Sequence, residues 1–383
     1  MKTRIVSFAL ALLFITLLLP AGRLLSQDRE HIAIPDIPGY TTLKCDFHMH
    51  TVFSDGNVWP TVRADEIWLE GLDGFAITDH IEYLPYKADV AKNFNRSCDI
   101  ARPRAERLGL IIIRGAEITR DMPPGHLNAI FLKDADPLET PEWRDAIGAA
   151  AEQNAFIMWN HPGWTGQQPD GVARWYPEHT ELLEKGWMHG VEIVNGHDYY
   201  PEVHRWAIEK KLTVIGNSDV HSPIHMSYDL GAGERRPMTL VFARSRDAAG
   251  IREALFERRT AVYWDDRLFG EERYLMAIFL ASVEILNPEQ TVERNRKFWV
   301  RISNSSDIPF ELRIRKRPPW LEAPEGVTLA AHRTTMLEFK TIKTPPEAAP
   351  SLTLDYEVTN LVTMPGRGLD VALPLTIQSG GGE

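Results

Sequence analysis

Two histidines stand two residues apart in the segment DFHMHTVFSDG, residues 46–56, and an aspartate follows closely: His48, His50 and Asp55. On a strand, residues i and i+2 project to the same side, so both imidazoles would address one point. Neutral imidazole is the commonest side-chain metal ligand. Further polar residues end or open apolar runs along the chain. Asp79 and His80 close AITDH, Glu117 closes IIIRGAE, His126 opens HLNAIF, and His161 closes IMWNH. Asn195 closes VEIVN, and Asp219 with His221 closes GNSDVH. Six of the 13 histidines belong to this set. A lone histidine in such a place is usually structural. Six of them interleaved with acids are hard to attribute to packing, because buried charge is costly unless paired or coordinated. The set predicts metal coordination.

Such ligands meet only if the elements carrying them converge. From about residue 40 to 265, short apolar runs alternate with amphipathic stretches. WPTVRADEIWLEGLDG reads as a helix, GFAITDH as a strand, and DVAKNFNRSCDIARPRAERLG as helical on both sides of a break at Pro103. LIIIRGAEI and HLNAIFL read as strands joined by the turn RDMPPG. PEWRDAIGAAAEQN is a helix opened by proline, and AFIMWNHPG is the next strand. TELLEKG, VEIVNG, PEVHRWAIEKK, LTVIGNSDVH, MTLVFA and the helix SRDAAGIREALFERR complete the series. Strand then helix, six or seven times over roughly 220 residues, predicts a parallel α/β architecture. The polar set then lies on the C-terminal rim, where barrels and open parallel sheets both place their sites. Periodicity leaves both forms open. Beyond about residue 275, KFWVRISNSS, FELRIRK, TTMLEFKTI, SLTLDYEVTN and VALPLTIQ are β-rich runs between turns, which predicts a small immunoglobulin-like β-sandwich.

In order and spacing, DFHMHTVFSDG, ITDH, GAEI, HLNAIF, NHPG and NSDVH resemble the polymerase-and-histidinol-phosphatase (PHP) superfamily over residues 43–265. The resemblance implies a distorted (β/α)7 barrel holding three divalent ions; the mixed nitrogen and oxygen donors fit zinc, manganese or iron without choosing among them. It implies one ion on His48, His50, Glu117 and Asp219, and a second on Glu117, His126 and His161. A third would sit among Asp55, His80 and His221. Some members have histidine where this chain has Asp55. All nine positions are filled, which argues against a degenerate copy. The amidohydrolase barrel also opens on His-x-His, but it usually bridges its metals from the fourth strand and closes on a lone aspartate. Glu117 on the third strand and His221 beside Asp219 favour the PHP reading.

Clustered divalent ions suit phosphoryl transfer, because they polarise phosphoryl oxygens and lower the pKa of bound water to about 7. A metal-bridging hydroxide is therefore the expected nucleophile, with Glu117 and Asp219 holding the ions. Arg120 is the leading candidate for a phosphate clamp, followed by Arg235 and Arg236. His197 or His225 would protonate the leaving oxygen, and Trp164 and Trp175 would wall the mouth. Likeness to the exported organophosphate phosphodiesterases of the superfamily favours a phosphodiester substrate. A phosphomonoesterase of the same fold, an amidohydrolase-type hydrolase and a non-catalytic, metal-stabilised binding protein are the alternatives.

The formal charge of −11 provides no broad basic footprint, which points to a small phosphoester and away from a nucleic-acid polymer. Lys2 and Arg4 precede the apolar run IVSFALALLFITLLL, the layout of a secretory signal peptide. The expected organisation is a signal peptide at 1–26, a phosphoesterase domain at 40–270 and a sandwich at 275–383. The mature protein would be exported, periplasmic or extracellular, without stable membrane insertion; a homo-oligomer is compatible with the sequence. Cys45 and Cys98 are the two cysteines, too few for a disulfide framework in a chain of this length.

Overall fold

The computed structural model describes residues 28–343 and 351–379; the expected signal peptide lies outside the described residues. The first part of the chain runs β1 (Thr41–Asp46), α1 (Pro60–Leu69), β2 (Gly74–Ile77), α2 (Arg96–Arg107), β3 (Ile111–Ile118), β4 (Leu127–Ile130), α3 (Trp143–Glu152) and β5 (Phe156–Trp159). It continues with α4 (Pro177–Glu184), β6 (Gly190–Asn195), β7 (Asp198–Tyr199), α5 (Pro201–Lys210), β8 (Thr213–Asn217) and β9 (Met238–Ala243). α6 (Ala248–Phe256), β10 (Thr260–Trp264), β11 (Arg267–Gly270) and α7 (Glu272–Ser282) close it. β2, β4 and β5 are four-residue strands with every residue buried, apolar throughout except for Asn128 in β4, as expected of strands covered on both faces. α1, α4 and α5 each begin on proline, whose missing N–H and fixed φ suit a first helical position.

The sheet is mixed, which corrects the all-parallel expectation. β1, β2 and β3 pair in parallel, as do β5, β6 and β8. β4 is antiparallel to both β3 and β5, and β9 is antiparallel to β1. The segment between β3 and β4 is too short for the crossover that a parallel pair needs. The sheet comes round on itself between β8 and β9 across a seam of side chains. Thr239 Oγ1 donates to the Gly216 carbonyl (2.9 Å) and accepts from the Gly216 N–H (3.0 Å), while Thr260 Oγ1 donates to the Val214 carbonyl (2.9 Å). A Cβ at Gly216 would lie 2.3 Å from a Val262 methyl, so this close approach requires glycine. Two helix expectations also change. Pro103 does not break α2; it faces solvent, where water can take up the carbonyl it frees. The stretch before Arg96 is irregular, not helical.

The remaining strands are β12 (Val283–Ile285), β13 (Glu289–Val292), β14 (Lys297–Asn304), β15 (Phe310–Lys316), β16 (Leu321–Glu322), β17 (Gly326–Leu329), β18 (Thr334–Thr341), β19 (Ser351–Val358), β20 (Leu361–Val362) and β21 (Leu369–Ser379). They form a four-stranded sheet, β12-β14-β18-β16, and a five-stranded one, β13-β21-β19-β15-β17. β14 alternates exposed and buried along its length, the period of a half-buried strand. β20 leaves this pair of sheets and adds in parallel to β11, with Leu361 opposite Leu268. Asn360 Nδ2 donates to the carbonyls of Asp266 (2.7 Å) and Pro309 (2.6 Å). Near the start of the described chain, Ala33 N–H donates to Asp307 Oδ2 (2.8 Å), and Asp307 N–H returns a bond to the Ala33 carbonyl (2.9 Å). Leu275, Ile278 and Phe279 of α7 share one apolar core with Phe310 and Leu361. The two parts are fused along this junction.

Candidate metal centre

The rim of the sheet gathers the polar set. His48 and His50 follow β1, His80 follows β2, Glu117 lies near the end of β3, His161 follows β5, and Asp219 and His221 follow β8. His126 precedes β4; because that strand is antiparallel, its beginning lies beside the end of β3. Asp55 comes from the turn beyond His50. His161 (φ 28°) and Asp219 (φ 53°) adopt left-handed backbone, which costs about 1–3 kcal/mol for a non-glycine residue. Hydrogen bonds hold both: Asp219 N–H donates to the His48 carbonyl (2.9 Å), and His161 N–H donates to Glu192 Oε2 (2.7 Å).

The nitrogens and oxygens converge closely. His48 Nε2 lies 3.1 Å from His50 Nε2. Asp219 Oδ1 lies 3.1 and 3.0 Å from these two atoms, and Glu117 Oε2 lies 3.6 and 3.5 Å from them. Beside them, Glu117 Oε1 lies 3.1 Å from His126 Nδ1 and 3.4 Å from His161 Nε2. Asp55 Oδ1 lies 3.2 Å from His221 Nε2, 3.5 Å from His80 Nε2 and 3.6 Å from His50 Nδ1. All nine residues expected to hold metal are thus side by side. Their partition differs in detail: His50 falls in with Asp55, His80 and His221 as well as with His48 and Glu117, and His161 groups with His48 and Asp219.

Two features of this donor set fit divalent cations. Glu117 Oε2 and Asp219 Oδ1 are buried and make no hydrogen bond, although ring nitrogens crowd them. Buried carboxylate oxygens rarely go without a partner, and here their orientation serves a shared cation better than a proton. Two imidazoles also have their outer nitrogens protonated, leaving Nε2 lone pairs facing inward. His221 Nδ1 donates to the Asp219 carbonyl (2.8 Å), which can only accept, and His48 Nδ1 donates to Glu192 Oε1 (2.8 Å). Such outer hydrogen bonds fix the tautomer of a ligating imidazole.

The protonation equilibria are strongly displaced. Burial disfavours the charged form of His48, but the carboxylates of Asp219, Glu192 and Glu117 outweigh it and hold the imidazole well above its ordinary pKa, so a cation taking the Nε2 lone pair would displace a proton from it. His50 is pushed down to about 3 by burial, with the neighbouring His221 and His80 acting in the same direction. Burial would raise Glu117, yet His80, His48 and His126 around it hold it well below the carboxylate range. Opposed shifts of this kind cluster where groups are arranged for function.

Glu192 was not singled out in the sequence, yet it organises much of the site. Its carboxylate is fully buried. Besides His48 and the His161 backbone it accepts from Asn195 Nδ2 (2.9 Å) and Asn217 Nδ2 (2.9 Å). The available signal was an acid inside the apolar run VEIV. Arg63 is also fully buried, and its guanidinium joins the carbonyls of His50, Val220 and Ser222. It ties the first ligand segment to the last. Asp79 caps the turn after His50, accepting from Thr51 N–H (2.7 Å), Thr51 Oγ1 (2.8 Å) and Ser54 Oγ (2.8 Å).

Other expected roles lose their geometry. Arg120 pairs with Glu82 (2.7 Å) and donates to the carbonyls of Thr140 and Pro141; it ties loops together and does not line the cavity over the cluster. Arg236 is fully buried against Asp46 and Glu70, and Arg235 pairs with Glu30. His197 faces the Ser227 carbonyl (3.1 Å) and lines a separate cavity with Tyr263 and Asp266, while His225 lines another with Tyr228. Trp175 packs against Trp159, His179 and Trp206 away from the mouth. Trp164 does line the cavity, which measures about 590 Å³ and also borders Tyr83, Asp121 and Gln167.

Comparison with known proteins agrees with this geometry. An Ig-like domain family, DUF5001, matches residues 283–374. An uncharacterized protein of Methanocaldococcus jannaschii is 27% identical over 212 residues, which are 50% of this chain and 90% of that one. A crystal structure from Bacteroides vulgatus is described as a two-domain protein containing a predicted PHP-like metal-dependent phosphoesterase. It is 46% identical with a TM-score of 0.86, and the match covers 91% of this chain and all of that one. The chain described here belongs to that family: a two-domain PHP-like protein with a C-terminal Ig-like domain.

Proposed function

We propose that this protein is a metal-dependent phosphodiesterase with its site at the His48–His221 cluster. The observation that carries the diester reading is the lining of the cavity: among the described residues that border it, none is lysine or arginine, and the Asp121 carboxylate stands on its wall. A phosphomonoester carries about −1.5 to −2 charges near pH 7, whereas a diester carries one. The bound cations would face the phosphate, but no lysine or arginine among the described residues adds to them and Asp121 opposes further negative charge, which favours the monoanion.

Divalent cations bound to the nine donors would polarise the phosphoryl oxygens and neutralise charge building on them. The chain's own contribution is placement. Glu192 and the Asp219 carbonyl aim His48 and His221 inward, Asn160 Nδ2 donates to Glu117 Oε1 (2.8 Å), and Arg63 locks the two ligand segments together. Among the described residues no serine or cysteine borders the cavity, and Thr119 Oγ1 is engaged with His80 Nδ1 (2.6 Å). Direct attack by water therefore fits better than a covalent intermediate: one P–O bond forms, the ester P–O bond breaks, and the alcohol leaves with a proton. The composition of residues 1–26 supports action outside the cytoplasm.

The test is hydrolysis of bis(4-nitrophenyl) phosphate beside 4-nitrophenyl phosphate by residues 27–383, loaded with manganese or zinc or stripped with EDTA. The expected outcome is a diester kcat/KM at least ~10-fold higher, lost on stripping. The reverse preference would make the protein a phosphatase. No turnover of either ester by metal-replete protein would return it to the binding-protein reading.

A further inference from the structure

The cavity over the metal cluster has aromatic walls that coordination does not explain. Trp164 and Tyr83 both border it, yet 45% and 54% of their surface remains open to solvent. The Trp164 ring lies 5.7 Å from that of His126 and 5.5 Å from that of His161. The Tyr83 ring lies 5.9 Å from that of His80, edge to face. Each stands about one ring's distance from the donors. Trp164 is also firmly seated. Its N–H donates to the His161 carbonyl (2.9 Å), and its carbonyl accepts from the N–H groups of Gln167 (2.9 Å) and Gln168 (2.8 Å). The indole folds back over Gly166, where a Cβ would come within 2.5 Å of the ring. Only glycine permits this placement.

From this arrangement we infer that Trp164 and Tyr83 are specificity-determining residues, and that the phosphodiester carries a planar aromatic group that lies against them. The inference rests on the phosphodiesterase reading and extends it to the organic part of the substrate. With no lysine or arginine among the described residues on the walls, selectivity beyond the phosphate must come from surface that the rings can cover. Base–aromatic stacking is worth ~1–3 kcal/mol per base by alanine substitution, about a 5- to 150-fold change in affinity. An aryl ester and a nucleoside ester present the same flat π face, and they differ in the sugar that separates ring from phosphorus.

The experiment is calorimetric binding to metal-replete residues 27–383 of three unreactive phosphinate mimics, with P–O–C replaced by P–C, each named by the ester it mimics: dimethyl phosphate, methyl phenyl phosphate and the methyl ester of adenosine 5′-phosphate. Wild type is expected to bind at least one ring-bearing ligand ~10-fold more tightly than dimethyl phosphate. The better of the two identifies an aryl or a nucleoside source. Trp164→Ala and Tyr83→Ala should each remove most of that preference, with a smaller loss for dimethyl phosphate. Gly166→Ala, which displaces the indole without deleting it, should reproduce the Trp164→Ala result while circular dichroism stays native. Equal affinity for all three ligands in wild type would overturn the inference, as would equal losses across the ligands in the variants. Tighter binding of methyl phosphocholine than of either ring would also overturn it. Hydrolysis of bis(4-nitrophenyl) phosphate by the same preparation separates the two failures: turnover without ring preference removes this inference alone, and ring preference without turnover removes the parent reading.

Discussion

At the scale of single residues, Glu192 offers the sharpest test of how the donors are held. It accepts from His48 Nδ1 and from the strained His161 backbone while touching nothing in the cavity, so it is a positioning residue. Glu192→Gln keeps the shape and removes the negative charge that anchors both. Loss of such an outer partner typically costs 10–100-fold in metal affinity or activity, or about that range here. Metal content after dialysis should fall with circular dichroism unchanged, and unchanged metal retention would show that His48 needs no anchor. His48→Ala and Asp219→Asn should go further, abolishing turnover in a folded protein; turnover retained by either would place the reaction elsewhere. Eight of the nine candidate donors were legible because each is a polar side chain that opens, interrupts or ends an apolar run, a conflict that sequence displays directly; Asp55, in the turn after His50, was legible only by its nearness to the His-x-His pair. Glu192 was less legible because an acid inside VEIV reads equally as an outward residue of an alternating strand. The arginines misled for the converse reason: their partners, Glu82 for Arg120 and Asp46 with Glu70 for Arg236, are distant in the chain.

At the scale of elements, strand and helix positions followed from apolar runs and prolines, whereas strand direction did not. RDMPPG marked a turn, but a turn alone does not say whether β4 returns beside β3 or crosses over. The seam between β8 and the β9–β10 pair depends on the Thr239 and Thr260 hydroxyls meeting backbone groups of Gly216 and Val214, contacts without any local sequence signal. The helices and strand ends also bury His179 and His204, and partly bury His189, away from the metal cluster. His179 in α4 stacks on Trp159 at 3.8 Å and donates from Nε2 to the Pro124 carbonyl (2.8 Å). His189 precedes β6, and His204 lies in α5 beside Tyr199. Burial lowers each of the three from 6.5 to about 4. The folded chain therefore keeps them neutral while the unfolded chain protonates them below about 6.5. Stability should decline as pH falls from about 6.5 toward 4, by on the order of 1–3 kcal/mol for each group. Urea midpoints of EDTA-treated protein across that window would measure the slope, and His204→Phe should flatten it. The same slope in wild type and variant would mean that His204 contributes nothing to it.

At the scale of the whole molecule, the change of pattern near residue 275 pointed to an immunoglobulin-like part, and an Ig-like family matches residues 283–374, but the pattern did not show how closely the two parts are joined. β20 extends the first sheet through β11. Asn360 bonds to carbonyls in both parts, and α7 lays Leu275, Ile278 and Phe279 into a core that also contains Phe310. The rings of Phe279 and Phe310 meet edge to face at 5.2 Å. Domains joined only by a linker unfold separately, whereas a shared apolar core couples them. Removing residues 283–383 would uncover α7 and the β11 edge, so the sandwich is expected to support the catalytic half mechanically, whatever else it binds. Phe310→Ala leaves a cavity in the shared core and should cost about 3–5 kcal/mol. If the two halves unfold together, this substitution more than 30 residues along the chain from the nearest metal donor will lower the temperature of activity loss as much as that of β-sandwich melting, followed by circular dichroism. Activity that survives after the sandwich has melted would show two independent units and refute the coupling.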